Sequence, residues 1–244
     1  MVNAGEKGVA LVTGAAKRLG RVLALAAAEA GYDVAVHHRG DPEAQVTCDL
    51  VRERGRRCET VAAELTDPAA LSDLAADAEA AVGPVTLLVN NASLFQPDRL
   101  ADLTPASLAA HLDANLRAPI LLAQAVAARL PAGREGLIVN LLDQRVWRPT
   151  PEFFSYGVSR GALWAATRMM AQALAPRWRV NAIGPGPTLT SIHQAPGEFE
   201  AEAASTLLQR PVDPEEIGRA LTYLIGAQAV TGQMIAVDSG QHLG

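Results

Sequence analysis

Several residue types are scarce in this chain. Cysteine occurs only at Cys48 and Cys58, with no Cys, His or carboxylate companions at metal-ligand spacing. That excludes a metal centre or a disulfide framework as the organising feature, and both residues are expected as free thiols in a reducing compartment. Aromatic residues make up 4% and the net charge is −5, so the stacking platforms and basic surface of a nucleic-acid binder are both missing. No apolar run approaches the ~18 residues of a membrane-spanning helix, and the opening MVNAGEKG has no apolar signal-peptide core. A soluble cytoplasmic protein with a small-molecule substrate, and with no nucleic-acid or membrane partner, is expected. Lysine is also rare: Lys7 and Lys17 stand against 19 arginines.

What is plentiful is alanine, within an apolar share of 49% over 244 residues. This suits close helix–sheet packing in one domain, residues 1–244. Strand and helix candidates alternate. Strands are predicted at Val9–Val12, Asp33–His37, Cys58–Ala63, Val85–Val89, Gly136–Leu142, Arg179–Ile183 and Gln233–Val237. Helices are predicted from about Asp41 to Gly55, from the Asp67-Pro68 start to Val82, from Thr104-Pro105 through Asn115 toward Leu130, from Phe154 to Leu174 and from Pro214 to Ile225. Repeated βα units imply an α/β fold with a parallel sheet covered by helices on both faces.

The stretch Gly8–Gly31, GVALVTGAAKRLGRVLALAAAEAG, joins a buried strand to a helix through a glycine turn. Such a turn lets backbone N–H groups and a helix N-terminus approach a phosphate. Its glycines, Gly14 and Gly20, do not match G-x-G-x-x-G strictly, because Lys17 and Arg18 stand where a middle glycine is often found. Taken alone it is also compatible with an ordinary strand–turn–helix.

Thr13-Gly14 with Gly20, Asn90-Asn91-Ala92, Asn115, a Tyr156-x-x-x-basic pair and Pro185-Gly186 occur in an order and spacing that resembles the short-chain dehydrogenase/reductase family over nearly the whole chain. Within that family the loop TGAAKRLG, the HRG after the second strand, NNAS-x-F and an Asp after the fifth strand resemble pteridine reductases. The ending VTGQMIAVDSGQHLG looks like the bacterial dihydromonapterin/dihydrofolate reductase branch.

The resemblance implies a single-domain Rossmann fold, doubly wound, and a nicotinamide cofactor held by Gly14, Lys17, Arg18, Leu19 and Gly20, by His38 and Arg39, by Glu64 and Leu65, by Asn91, Ala92 and Ser93, and by Tyr156, Arg160, Pro185, Gly186 and Thr188. Charge refines the cofactor. NAD-specific relatives place a carboxylate at the end of the second strand, whereas His38 and Arg39 stand there with Arg18 nearby, which suits the extra phosphate of NADP(H) provided that the Asp41 carboxylate points away.

The implied catalytic set is Asn115, Asp143, Tyr156 and Arg160. Tyr156 and Arg160 are i and i+4 on one helix and share a face. A tyrosine needs neighbouring positive charge to be poised as proton donor at neutral pH; family members use lysine where this chain has Arg160. Most members also have serine where Asp143 stands; a carboxyl group paired with Tyr156 suits proton delivery to a ring nitrogen, although a salt bridge to Arg145 or Arg148 is an alternative. Ser93, Phe95, Asp143 and Tyr156 are the substrate candidates, Phe95 as a stacking ring or a core residue. Residues 184–210 are expected as a lid. His111, His193 and His242 carry no assigned chemistry, and Trp147, Trp164 and Trp178 are read as packing or subunit contacts.

The expected activity is NADPH-dependent hydride transfer to a C=N bond of a dihydropterin or dihydrofolate. The alternatives are a carbonyl reductase on a ketone or 3-oxoacyl substrate, or a nucleotide binder without turnover, the latter suggested by Arg160. The helix Tyr156–Leu174 carries more apolar residues than one sheet-facing stripe uses, and with the resemblance this implies a homotetramer of D2 symmetry.

Overall fold

The computed structural model describes residues 7–244, so most of the N-terminal segment read for a signal peptide lies outside the described residues. Seven strands form one parallel sheet: β1 Val9–Val12, β2 Asp33–His38, β3 Cys58–Ala62, β4 Val85–Asn90, β5 Gly136–Leu141, β6 Trp178–Pro185 and β7 Met234–Val237. Their spatial order is β3-β2-β1-β4-β5-β6-β7. The chain therefore winds outward from β1 to β3, crosses back to β4 and winds the other way. Between β1 and β4 the connections leave in opposite directions, and a crevice opens at the carboxyl ends of the strands.

The helices are α1 Arg18–Glu29, α2 Glu43–Glu53, α3 Pro68–Ala81, α4 Pro105–Leu112, α5 Ala118–Ala128, α6 Phe154–Leu174, α7 Glu198–Ala204 and α8 Pro214–Gly226. Side-chain alternation along the strands builds two cores. Ala10 and Val12 of β1 face one layer, with Leu23 and Ala27 of α1 and Leu221 and Leu224 of α8. Val9 and Leu11 face the other, with Leu71 and Leu74 of α3 and Leu122 and Val126 of α5. Strands buried on both faces explain the near-continuous apolar runs in the sequence.

Three details depart from the sequence reading. The helical stretch through Asn115 is interrupted by a π-turn, Asp113–Arg117, between α4 and α5. Strand β6 is longer at both ends, because Trp178 pairs with Gly136 of β5 and Gly184–Pro185 pair with Ala236–Val237 of β7. Helix α2 starts at Glu43, since the Asp41 carboxylate accepts the Glu43 N–H and forms a turn first. Cys48 and Cys58 are free thiols, both buried and facing each other between α2 and β3. Among the described residues no helix is long and apolar enough to cross a membrane, and no cluster of metal-ligating side chains is gathered.

Candidate active site

The glycine turn is held from three sides. Gly14 has φ +62°, which glycine adopts without cost, and a Cβ on Gly20 would collide with the Gly14 carbonyl. The Gly14 N–H donates to His37 Nδ1 at 3.1 Å, while His37 Nε2–H donates to the Ala63 carbonyl at 3.1 Å. Thr13 Oγ1 accepts the Asn91 and Ala92 N–H groups at 2.9 and 3.0 Å, and Asn91 Nδ2 donates to the Thr13 and Gly14 carbonyls. The end of β4 is thus tied to the turn, and the first amides of α1 are left facing the crevice.

His37 was not among the residues singled out from the sequence. It is the last fully buried position of β2, followed by the half-buried His38 of the cleft wall, and only the packing of the turn against it reveals its role. Burial pushes its pKa down from 6.5 to about 4. Below pH 6.5 the unfolded chain binds a proton that the folded one refuses until about 4, so the stabilisation from neutral His37 is complete above 6.5 and is lost as pH falls through that window. Thermal melts of the protein and of His37→Asn should differ in their pH slope across it; parallel slopes would count against this account.

A cleft of about 700 Å³ opens above the strand ends, walled by Gly14, Lys17, Arg18, Leu19, Gly20, His38, Arg39, Asn91, Ala92 and Ser93 on one side of β4. Phe95, Asp143, Tyr156, Arg160, Pro185, Gly186 and Thr188 wall it on the other. Several expectations need correction. Asp41 does not turn away from the cleft; it lines the wall and is neutralised by Lys17 at 2.8 Å. Glu64 lies outside the cleft wall, its carboxylate taken by Arg39 at 3.4 Å and by Thr66. Leu65 packs against the α3–α5 core and is also outside the wall. Arg18 has φ +53° and donates to the carbonyls of Leu189 and Thr190 at 3.5 and 3.1 Å, bracing the segment after β6.

At the carboxyl end of β5, Asp143 caps a short 3-10 turn, Gln144–Val146, through Oδ1, which accepts the Arg145 N–H at 2.8 Å. Its second oxygen, Oδ2, accepts the Tyr156 hydroxyl at 3.0 Å. Asp143 therefore pairs with the phenol and forms no ion pair with Arg145 or Arg148 among the described residues. One helical turn beyond Tyr156, the guanidinium carbon of Arg160 lies 5.2 Å from the phenol ring centre. Arg160 is 2% exposed, and its Nε and Nη1 have no hydrogen-bond partner among the described residues.

Burial raises the Asp143 carboxyl above its usual range, against the pull of Arg145, Tyr156 and Arg160. Burial, reinforced by the Asp143 charge, likewise drives the Tyr156 phenol well above its ordinary value, with Arg160 opposing. Arg160 does pull the phenol down, as the sequence reading expects, but burial and the Asp143 charge outweigh it and the net shift is upward. The geometry instead holds Tyr156 as a protonated donor to a carboxyl that itself takes up protons readily.

Asn115 stands behind the site. It is wholly buried in the π-turn; its Nδ2 donates to the Leu94 carbonyl at 2.8 Å and to Ser159 Oγ at 3.1 Å, and its Oδ1 accepts the Leu94 N–H at 2.8 Å. Ser159 Oγ donates in turn to the Tyr156 carbonyl at 2.7 Å. Asn115 is a positioning residue that ties the Phe95 loop to α6 and does not reach the cleft.

Phe95 stacks on Phe153 with ring centres 4.2 Å apart and planes 3° apart, and meets the Tyr156 ring edge-on at 4.7 Å. Ser93 Oγ donates to the Leu94 carbonyl. Two further wall residues escaped sequence reading. Phe153 takes φ +53° just before α6, and His193 Nε2–H donates to the Phe95 carbonyl at 2.9 Å. No local pattern marks either, because their partners are 58 and 98 positions away in sequence.

The sequence profile of the enoyl-(acyl carrier protein) reductase family matches residues 14–242. Similar solved structures include FolM alternative dihydrofolate reductase 1 from Brucella canis complexed with NADP, 42% identical, with a TM-score of 0.94 and coverage of 98% of this chain and 96% of that one. A short-chain dehydrogenase from Burkholderia cenocepacia in complex with NADP is 29% identical at a TM-score of 0.90, covering 98% and 99%. Among curated relatives, an uncharacterized oxidoreductase of Mycobacterium tuberculosis is 35% identical over 95% of this chain and 91% of its own length. L-xylulose reductase of Mesocricetus auratus is 33% identical over 95% of each. With the parallel seven-stranded sheet and the Tyr156 site at its carboxyl edge, these matches establish that the chain belongs to the short-chain dehydrogenase/reductase family.

Proposed function

We propose that this protein is an NADPH-dependent reductase of the C=N bond in a dihydropterin or dihydrofolate. The observation that carries the reading is the hydrogen bond from Tyr156 to the Asp143 carboxylate, 3.0 Å long, beside the Phe95 ring. A carbonyl oxygen gains negative charge during reduction and is poorly served by a neighbouring carboxylate. A ring nitrogen needs a proton, and a carboxyl with a raised pKa supplies one. The likeness to the Brucella FolM structures supports the same reading.

The cleft fits a dinucleotide. Gly14 and Gly20 let the turn pack tightly on itself and on Asn91–Ala92 beside the cleft, and Arg160 offers two buried nitrogens, Nε and Nη1, that have no partner among the described residues. The turn residues, with Lys17 and Leu19, would hold the pyrophosphate, His38 and Arg39 the ribose phosphate, and Tyr156 and Arg160 the nicotinamide ribose; Asn91–Ser93, Pro185, Gly186 and Thr188 would line its path. When bound, NADPH supplies the hydride. Asp143, protonated from solvent, would pass that proton to the substrate nitrogen; the carboxylate so formed keeps the Tyr156 hydroxyl as its hydrogen-bond donor, Arg160 offsets its negative charge, and water returns the proton. Phe95 offers a flat apolar surface to a planar heterocycle, and residues 184–210 act as the lid, braced by Arg18.

NADPH oxidation should be seen with dihydrobiopterin or dihydrofolate and not with a ketone panel, and NADH should be at least about tenfold poorer in kcat/KM. Turnover of ketones or sugars alone would favour the carbonyl-reductase reading suggested by the L-xylulose reductase relatives. NADPH binding without any turnover would leave a non-catalytic nucleotide binder. The proposal includes a homotetramer, for which Val158 and Met169 on α6 expose apolar surface; a monomeric mass by light scattering would remove that part.

A further inference from the structure

One cation in the cleft is left unassigned by the dinucleotide, and its part in the proton path is limited to the pull of its charge on Asp143. Arg145 follows Asp143 on the turn after β5, and the Asp143 cap on its backbone N–H sets the direction in which its side chain leaves, into the cleft wall. Its guanidinium carbon lies 5.2 Å from the centre of the Phe153 ring and 5.7 Å from that of Phe95, beside the parallel pair. Among the described residues the guanidinium has no ion-pair or hydrogen-bond partner. The adjacent carboxylate, Asp143, has one oxygen on the Arg145 N–H and the other on the Tyr156 hydroxyl. The other carboxylate of the wall near the lid, Glu202, is occupied by the side-chain amides of Gln194 and Gln241, each at 2.8 Å.

A planar guanidinium with free donors beside two rings suits an aromatic group that carries a carboxylate. With Phe95 left to the pterin, Phe153, stacked on it, borders the aryl ring and the fork takes the two oxygens. We propose that Arg145, with Phe153, forms a subsite for the carboxylate-bearing aryl tail of the substrate, so that the enzyme favours anionic, dihydrofolate-like substrates over neutral dihydropterins. This rests on the pterin reading above and adds the residue that chooses among pterins.

The test uses the wild-type protein with NADP+ bound. N-(4-aminobenzoyl)-glutamate, which has the tail and no pterin, is titrated by calorimetry beside its uncharged dimethyl ester. The acid should bind at least about tenfold tighter, and added salt should narrow the gap. In turnover, Arg145→Gln should lower the ratio of kcat/KM for dihydrofolate to that for dihydrobiopterin by about 10- to 100-fold, mainly through KM for dihydrofolate, with Arg145→Lys recovering part. Equal binding of acid and ester, or an equal loss on both pterins, overturns the subsite. Selective binding of the acid without turnover of any pterin keeps the subsite and removes the pterin reading. Pterin turnover with no selectivity for the acid does the reverse.

Discussion

Asp143→Asn is expected to leave a folded protein that melts no lower than the wild type near neutral pH while losing most of its reductase activity. Burial raises the Asp143 carboxyl above its ordinary 3.8, so the fold prefers the protonated form. Its favourable contribution is therefore complete below pH 3.8 and is lost as pH rises through the folded value; at neutral pH an ionised Asp143 is a cost. Asparagine retains an oxygen to accept the Arg145 N–H or the Tyr156 hydroxyl and removes the charge. It cannot deliver a proton, and general acid catalysis is worth about 10²–10⁴ in rate. Melts and kcat/KM measured together decide the point. Turnover within about threefold of wild type, or a Tm lower by several degrees, would sink it.

Removing the cation should be nearly as damaging. Arg160→Ala takes away the charge that opposes the upward push of burial and Asp143 on Tyr156, along with two buried nitrogens in the cleft wall that have no partner among the described residues. A loss of roughly 2–4 kcal/mol in kcat/KM is expected, the scale for one stabilising group in an active site. Arg160→Lys keeps the charge on the same face of α6 and should keep kcat within about tenfold, or raise it, because a compact ammonium needs less room than a planar fork. Tyr156→Phe should abolish most turnover, since Asp143 loses its hydroxyl partner at 3.0 Å. If Arg160→Ala and Tyr156→Phe both retained reductase activity, the assignment of the pair would be wrong. Retained activity in Arg160→Lys would fit Arg160 as a tolerated replacement within a chain that uses arginine over lysine nearly everywhere.

The expected losses differ in origin, and so does their legibility in the sequence. That Tyr156 and Arg160 share a helix face follows from a spacing of four, and that β1 leads through a glycine turn into α1 follows from Val9–Val12, Gly14 and Gly20. Such features depend on neighbours in the chain, and local periodicity and turn chemistry encode them. The order of strands and helices was readable for the same reason, down to the Asp67-Pro68 and Pro214 helix starts, while the Asp213 cap on the latter emerged from the structure.

Tertiary structure decided the rest. The sequence could not show that Lys17 neutralises Asp41, that His37 accepts the Gly14 N–H, or that Asn115 is spent on Leu94 and Ser159 behind the cleft. Each depends on which side chains distant elements bring within hydrogen-bond reach. The protonation bias of Tyr156 was misjudged for a related reason: its spacing to Arg160 showed the cation, whereas the desolvation that outweighs that cation exists only once β5, α6 and the Phe95 loop have closed around the phenol. Periodicity tells a side chain which way to face; how much water it loses, and which charges it meets there, is a property of the assembled fold.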